Sequence, residues 1–320
     1  MRVIFLGTPR FAVPALSRLL DSPYEVCAVV TQPDRPAGRG RKLQTSPVKT
    51  LALKHHLPLH QPEKIRDPVN RAVLEHYQPD FLVVVAFGQI LPSWLLQLPR
   101  LAPVNVHASL LPRYRGAAPV QWALVKGDTC TGVTTMIMEE RLDTGPMLLK
   151  LECPISPTIT AGELSEQLAA MGADLLIPTL DGLRTQTLQA VRQDDRMATM
   201  APRITKEMAP IAWESPAIRI HNQVRGLNPW PLASTTFYGQ RLLIHRTSPP
   251  GGDAAGSAQP GTFRGITQDG MLIQCGEHIL EVLQVQVEGR RTVSGREFAN
   301  GARLRAGDLV FPPVPGAGLC

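Results

Sequence analysis

The sequence is poor in cysteine and has no long apolar run. Its five cysteines among 320 residues are odd in number and widely spaced, and no Cys-x-x-Cys pair occurs. This pattern argues against a disulfide framework and a zinc site, and it favours a reducing compartment. No stretch has the apolar length that crosses a membrane, and no signal or transit segment is recognisable. We therefore expect a soluble cytoplasmic protein with no membrane association and no bound metal.

The sequence also lacks the glycine fingerprint of dinucleotide-binding folds. Gly7 follows the first predicted strand, but no Gly-x-Gly-x-x-Gly pattern accompanies it. This absence argues against a nicotinamide cofactor. Hydrophobic residues make up 43% of the chain and the net charge is +6. Such a composition is typical of a chain with a folded core, and the charge permits an anionic partner without requiring one.

The first part of the chain alternates apolar strands with amphipathic helices. The runs "RVIFLG" at 2–7, "DFLVVVAFG" at 80–88 and "TGVTTMIM" at 131–138 are typical of buried strands. Helical spacing of apolar residues is present at 9–20 and at 160–183. This alternation predicts an α/β domain with a mostly parallel, Rossmann-like sheet. Ligands of such sheets bind at the carboxyl ends of the strands.

The pattern changes from about residue 207. Short β-rich runs separated by glycine-rich turns predict a small antiparallel barrel there. We expect a catalytic domain over 1–188, a linker over 189–206 and the barrel over 207–320. The stretch "PPGGDAAGSAQPG" at 249–261 has low complexity, and we interpret it as a mobile loop between two strands of the barrel.

Asn105 and His107 stand two residues apart at the end of the predicted strand "APVNVHA". Side chains at positions i and i+2 of a strand share one face, so both can point to one place above the sheet edge. An amide NH₂ group and an imidazolium both donate hydrogen bonds, and two converging donors can hold a developing oxyanion. A histidine there can also move a proton near neutral pH. Taken alone, however, so short a pattern fits a capping asparagine and an ordinary loop histidine.

A carboxylate that could assist them lies in "RLDTG" at 141–145. Asp143 follows another predicted strand and can face His107, which would orient the imidazole and keep it protonated. The alternative is a simple turn aspartate, which the Asp-Thr-Gly sequence favours.

The order of these motifs resembles the folate-dependent formyltransferases. The resemblance includes "GTPRFAVPAL" at 7–16, "VVAFGQILP" at 84–92, the Asn-x-His pair with "SLLPRYRGAAP" after it, and then "LDTG". It implies that an amine attacks the formyl carbon of 10-formyltetrahydrofolate. It further implies that Asn105 and His107 hold the oxygen of the tetrahedral intermediate. By the same resemblance, Asp143 keeps His107 oriented and protonated and helps a water carry the proton to the leaving folate nitrogen.

The resemblance also implies a folate site on two loops. Packing in the core is the alternative for their apolar members. The residues implied are Ser109, Leu110, Leu111 and Pro112 on one loop, and Phe87, Gly88, Gln89, Ile90 and Leu91 on the other.

Three further segments resemble the branch of this family that formylates a tRNA-bound amino acid. They are "DRPAGRGRKL" at 34–43, "IRIHNQVRGLNPWPLAST" at 218–235 and "SGREFANGARLRAGDLVF" at 294–311. The resemblance implies that the acceptor is the α-amino group of methionine on initiator methionyl-tRNA. It implies an OB-like barrel along the tRNA backbone, where phosphate contacts make binding salt-sensitive. It also implies Arg41 as a wedge at the acceptor-stem end, supported by Arg39 and Lys42, with Arg35 in the same loop; a solvated basic loop is the alternative.

Three departures from the family pattern lie outside the three candidate catalytic residues. Ala212 stands in "IAW" where the family has an acidic residue, Pro146 follows "DTG" where an acidic or other residue is often found, and the insertion at 249–261 is long. Three other functions stay open at this point. They are a formyltransferase acting on a small amine, a hydrolase that releases formate from the same folate, and an RNA-binding protein that has lost catalysis. We expect a monomer.

Overall fold

The chain forms two compact units in a computed structural model, which describes residues 1–37, 42–250 and 258–312. The first unit comprises Met1–Gly116, Thr131–Cys153 and Ser165–Ala201. The second comprises Ala117–Cys130, Pro154–Leu164 and the described residues from Pro202 onward. The units are not continuous in the chain, and the predicted limits at 188 and 207 stay a prediction.

The larger sheet has seven strands, five of which run parallel. Its spatial order is β5-β2-β1-β6-β7-β8-β9, and β8 is antiparallel to β7. A separate hairpin pairs β3 with β4. The strands up to this point are β1 (Arg2–Gly7), β2 (Glu25–Val30), β3 (Arg35–Ala37), β4 (Lys42–Gln44), β5 (Leu59–His60), β6 (Phe81–Val85), β7 (Ala102–His107), β8 (Cys130–Ile137) and β9 (Met147–Pro154).

The apolar runs become the central strands because both of their faces are covered. All five residues of β6 are buried, and residues 3–7 of β1 are buried as well. Ile4 and Leu6 of β1 pack with Leu82 and Val84 of β6 in one core cluster. The chain builds β2 and β5 on one side of β1 and then returns to place β6 on the other side. Loops diverge where the strand order reverses in this way, and the carboxyl ends of β1 and β6 therefore border a crevice.

The helices agree with the predicted spacing, and the longest begins at the predicted capping box. The backbone N–H of Thr160 donates to Oε2 of Glu163 at 2.9 Å. No helix within the described ranges is both long and apolar enough to cross a membrane. The helices are α1 (Val13–Leu20), α2 (Pro47–Lys54), α3 (Val69–Glu75), α4 (Ser93–Leu96), α5 (Pro119–Val125), α6 (Ala161–Arg184), α7 (Ala217–Gly226) and α8 (Gly295–Gly301), with 3₁₀ turns at Arg10–Ala12, Asp195–Met197 and Lys206–Met208.

The second unit contains an antiparallel sheet. Its core includes Trp213, whose ring stacks on that of Phe311 with 5.0 Å between centroids. The predicted fold class, a mostly parallel Rossmann-like sheet followed by an antiparallel β domain, is confirmed. Of the predicted loop at 249–261, residues 251–257 lie outside the described residues. The strands are β10 (Ala233–Phe237), β11 (Gln240–Thr247), β12 (Phe263–Ile266), β13 (Met271–Gln274), β14 (Ile279–Val287) and β15 (Val293–Ser294), with β15 paired to β14 beside the path β10-β11-β14-β13-β12.

Candidate active site

Asn105 and His107 lie at the carboxyl end of β7, between β6 and β8. Asn105 pairs with Val84 of β6 and with Met136 of β8, and His107 pairs with Thr134 of β8. Their side chains share one face of the strand because they are two residues apart. Asn105 is 8% exposed and His107 is 6% exposed. The side-chain amide of Asn105 makes no hydrogen bond to any described residue. Its donors are therefore available to a ligand.

Both ring nitrogens of His107 face acceptors of the protein. Nε2 lies 2.9 Å from the carbonyl oxygen of Tyr114, and since a carbonyl only accepts, Nε2 carries the hydrogen. Nδ1 lies 3.7 Å from Oδ2 of Asp143. That separation suits an ion pair but exceeds the range of a hydrogen bond. The structure therefore brings His107 and Asp143 together, and within the described ranges Nδ1 is the ring nitrogen without a direct hydrogen bond.

Asp143 is held in this position by its backbone and by a neighbouring loop. Its φ of +53° is uncommon for a residue with a side chain. Its Oδ2 accepts from the backbone N–H of Gly116 at 2.8 Å. Gly116 has a φ of +128°, and an added Cβ would lie 2.6 Å from the carbonyl oxygen of Ala201. A Cβ on Gly145 would overlap the carbonyl oxygen of Ile137. The glycines of "RYRG" and "LDTG" thus allow close backbone approaches beside the site.

The loop 109–112 is fixed by side chains of neighbouring strands that form hydrogen bonds with its backbone. Thr134 Oγ1 donates to the carbonyl of Ser109 at 2.7 Å and accepts from the N–H of Leu111 at 3.1 Å. Lys150 Nζ donates to the carbonyl of Leu111 at 2.6 Å. Ser109 and Leu111 have no exposed surface, while Leu110 and Pro112 are half-buried. Sequence reasoning missed Thr134 and Lys150, because only the pairing of β7 with β8 places Thr134 beside this loop.

The loop 87–91 divides into packed and open residues. Phe87 and Leu91 belong to the core cluster under the sheet, whereas Ile90 is 86% exposed. Gly88 is exposed with a φ of +88°. Gln89 is engaged within the protein, since its Oε1 accepts from the N–H of Ile65 at 2.8 Å. Only part of the predicted folate set therefore presents side-chain surface to a ligand.

A cleft of about 460 Å³ opens near the carboxyl ends of β1, β2 and β6. Arg35 of the predicted basic loop is exposed and lines this cleft. Arg39, Arg41 and the side chain of Lys42 lie outside the described residues. The wall also contains Thr8, Gln32, Gln44, Ser46 and Gly88.

Residues from the segment predicted as a linker bond to the loop after β7. The N–H of Tyr114 donates to Oγ1 of Thr199 at 2.9 Å. The N–H of Arg115 donates to the carbonyl of Thr199 at 2.8 Å, and Arg115 Nη2 pairs with Asp195 at 2.7 Å. Gln193 also takes part in these contacts. Sequence reasoning missed all three partners, because the segment has little apolar periodicity and the contacts span about eighty positions of the chain.

Titratable groups of the described residues form no metal site. Nowhere in the described ranges do three or more His, Cys, Asp or Glu side chains cluster so that they could hold a metal ion. The polar groups at the end of β7 are instead an amide, an imidazole and a carboxylate, which suit hydrogen bonding to a developing charge and proton transfer.

A Rossmann-like sheet with hydrogen-bonding groups at a strand end, followed by an antiparallel β domain, is an arrangement that suits a group-transfer enzyme. The model of the family described as "Formyl transferase" matches residues 1–180, and that described as "Formyl transferase, C-terminal domain" matches residues 203–303. The chain belongs to the formyl transferase family, and the resemblance found in the sequence is confirmed.

Two curated relatives cover nearly the whole chain. The chain is 49% identical to the methionyl-tRNA formyltransferase of Trichlorobacter lovleyi, over 97% of each chain. It is also 49% identical to the methionyl-tRNA formyltransferase of Solibacter usitatus, over 95% of this chain and 96% of the other. Among solved structures, the N-formyltransferase of Helicobacter canadensis in complex with folinic acid and dTDP-3-aminofucose is similar. Its TM-score is 0.65 at 17% identity, over 88% of this chain and 98% of the other, which shows a shared fold.

Proposed function

We propose that this protein transfers the formyl group of 10-formyltetrahydrofolate to the α-amino group of methionine on initiator tRNA, as a monomer in the cytoplasm. The observation that carries the proposal is the 49% identity, over 97% of each chain, to an enzyme named for formylation of methionyl-tRNA. The N-formyltransferase solved with dTDP-3-aminofucose shares only 17% identity, and this similarity gives no support to a small-amine acceptor. Membership of the formyl transferase family supports a folate as the donor, and the folinic acid in that complex agrees with it.

In the proposed mechanism, the amine nitrogen attacks the formyl carbon and a C–N bond forms. Negative charge then develops on the formyl oxygen, and the amide of Asn105 donates to it. The bond from carbon to the folate nitrogen breaks in the second step. A proton leaves the attacking nitrogen and reaches the leaving nitrogen through a water held by Asp143, so the charges balance. Loss of one oxyanion donor costs about a hundredfold to a thousandfold in rate.

His107 assists by carrying positive charge beside the reacting carbon. In the imidazolium form, Nε2–H donates to the carbonyl of Tyr114, and Nδ1 carries a second hydrogen at 3.7 Å from the carboxylate of Asp143. Because Nδ1 makes no direct hydrogen bond to any residue that the structure describes, it can donate to the formyl oxygen or to the proton-carrying water. We therefore assign the substrate-facing role to Nδ1 and the anchoring role to Nε2.

The folate and tRNA contacts extend the proposal away from the reacting atoms. We propose that the folate lies against the loops 87–91 and 109–112, with the exposed Ile90 as the side chain most open to it. We propose Arg35, Arg39, Arg41 and Lys42 as tRNA contacts, with Arg41 as the wedge. The position of Arg35 on the wall of the cleft supports a basic approach to the carboxyl ends of the strands.

The test is formyl transfer from 10-formyltetrahydrofolate to methionine on initiator tRNA, compared with methionine on elongator tRNA and with free methionine. The expected result is rapid transfer to the initiator alone. Asn105→Ala and His107→Ala should both abolish most transfer while tRNA affinity is kept. Release of formate, or consumption of a small amine with no transfer to tRNA, would overturn the acceptor. Tight tRNA binding without any transfer would indicate an RNA-binding protein without catalysis.

A further inference from the structure

The side chain of Gln193 joins the two loops that flank His107. Its Nε2 donates to the backbone carbonyls of Asp143 and Gly145, each at 2.8 Å. Its Oε1 accepts from Nε of Arg115 at 3.0 Å. Carbonyls only accept and a guanidinium only donates, so the orientation of this amide is unambiguous. All three hydrogen bonds are satisfied in that single orientation.

At one end of this bridge, Gln193 forms hydrogen bonds with a strained part of the Asp143 loop. Asp143 has a φ of +53°, a conformation that persists where the surroundings hold it. The two carbonyls that Gln193 binds lie on either side of Thr144, and they set the direction of the peptide planes from 143 to 145. That direction determines where the carboxylate of Asp143 points, which is toward the N–H of Gly116 and Nδ1 of His107.

The other end of the bridge is held by several further contacts. Arg115 is 7% exposed, and its Nη2 pairs with Asp195 at 2.7 Å. Its backbone bonds to Thr199 at 2.8 Å and to Ala201 at 2.7 Å. The residue before it, Tyr114, supplies the carbonyl that accepts from Nε2 of His107. Gln193 therefore connects the Asp143 loop to the loop whose Tyr114 carbonyl anchors the imidazole.

We infer that Gln193 is a positioning residue for formyl transfer: it sets the separation between the two acceptors on either side of the His107 ring. The inference rests on the proposed roles of His107 and Asp143. Gln193 acts through Asp143, and removing its two donors frees the Asp143 loop without touching a substrate. A displacement of about 1 Å in a reacting group can cost about a hundredfold in rate.

The decisive variant is Gln193→Glu, which keeps the size and the acceptor for Arg115 but replaces both donors with an oxygen that repels the two carbonyls. The expected result is a fall in kcat of about a hundredfold with KM for tRNA and folate unchanged. Gln193→Ala should show a similar split, and it guards against an effect of the added charge. Gln189→Glu is the matched control, since Gln189 is exposed in the same segment and receives the same charge. It should keep wild-type rates.

A double-mutant cycle with Asp143→Ala separates this role from general structural damage. If Gln193 acts through Asp143, Gln193→Glu should lower the single-turnover rate little further in the Asp143→Ala background. An equal loss in both backgrounds would overturn the inference, as would a wild-type kcat in Gln193→Glu. If Asp143→Ala itself retains full activity, the proposed role of Asp143 fails instead. Thermal unfolding of each variant identifies any that has simply lost its fold, and Gln193→Ala then supplies the test.

Discussion

The carboxylate of Asp143 accepts a hydrogen bond from the backbone N–H of Gly116, with 2.8 Å between Oδ2 and the nitrogen. The two residues are 27 positions apart in the chain. The same oxygen faces Nδ1 of His107 at 3.7 Å. A neutral backbone donor thus holds the carboxylate in place while its charge remains directed at the imidazole. The "RYRG" and "LDTG" motifs are therefore two halves of one structural arrangement.

Replacing Asp143 with Asn should leave the geometry largely intact but remove the charge. The amide oxygen can still accept from Gly116, so folding and tRNA affinity should be unchanged. Without the carboxylate, the ring of His107 loses the charged group that faces its Nδ1 at 3.7 Å. We expect a fall in kcat of about a thousandfold to ten-thousandfold, comparable with neutralising the carboxylate of a histidine–carboxylate pair in other enzymes. Single-turnover formyl transfer measures it, and a loss below tenfold would contradict the assigned role.

Gly145→Ala should disturb the Asp143 loop through its backbone. The added Cβ would overlap the carbonyl oxygen of Ile137, so the backbone at residue 145 or at Ile137 must shift. We expect a loss of about 1–3 kcal/mol in the free energy of unfolding and a clear fall in kcat. Gly301→Ala is the control, because a Cβ there meets nothing within 4 Å. Urea unfolding and formyl transfer of both variants check this, and equal behaviour of the two would refute the steric argument.

His221 should make the second unit less stable in mild acid. Burial lowers the pKa of His221, and Arg225 acts in the same direction, although the bond to the carbonyl of Pro157 opposes them. The unfolded chain therefore binds this proton more readily than the folded one. Stability should be complete above the unfolded pKa of about 6.5 and should fall as the pH drops below it, by at most about 1.4 kcal/mol per pH unit.

The check on His221 is the change of unfolding free energy between about pH 7.5 and about pH 5.5. His221→Gln should lower stability at the higher pH, because the ring bonds to Thr247 and Pro157 at 2.8 Å each are lost. It should also reduce the dependence on pH. Exposed His55 offers the control, since His55→Gln should leave that dependence unchanged. An undiminished pH dependence in His221→Gln would show that this histidine is not its source.

Asp80→Asn should weaken the attachment of the first strand. Burial alone would raise the pKa of Asp80, but the N–H of Arg2 and the guanidinium of Arg100 outweigh it and lower that pKa. The ionised carboxylate thus contributes stability above its unfolded pKa of about 3.9, and this contribution is lost as the pH falls through the lower folded value.

At neutral pH we expect Asp80→Asn to cost about 1–3 kcal/mol in the free energy of unfolding, because the single oxygen of an amide cannot accept both from the N–H of Arg2 at 2.7 Å and from the guanidinium of Arg100 at 2.8 Å. Asp174→Asn is the matched control, since Asp174 forms an exposed pair with Arg18. That change should cost less than about 1 kcal/mol. Urea unfolding measures both, and equal costs would mean that the second accepting oxygen of Asp80 adds nothing to stability.

Local sequence patterns are sufficient to predict much of the fold and several residues of the candidate site. Continuous apolar runs such as residues 80–88 are sufficient to predict central parallel strands, because only strands covered on both faces lack polar positions. The spacing of Asn105 and His107 is sufficient to place them on one face at a strand end. Thr160 and Glu163 predict the start of the long helix, since a capping box is complete within four residues. The family resemblance can likewise be recognised from the order of the motifs along the chain.

The contacts that orient the site depended on the tertiary structure. Gln193 lies in a polar segment without periodicity, and its partners Asp143 and Arg115 are 50 and 78 positions away. Which nitrogen of His107 is anchored depends on the carbonyl of Tyr114, whose direction no side-chain pattern records. Periodicity reports which residues one element buries, and it contains no information about which loops meet. The sequence by itself therefore determined the fold class and the chemical groups, while only the tertiary structure decided how those groups are held and which atoms remain available for the reaction.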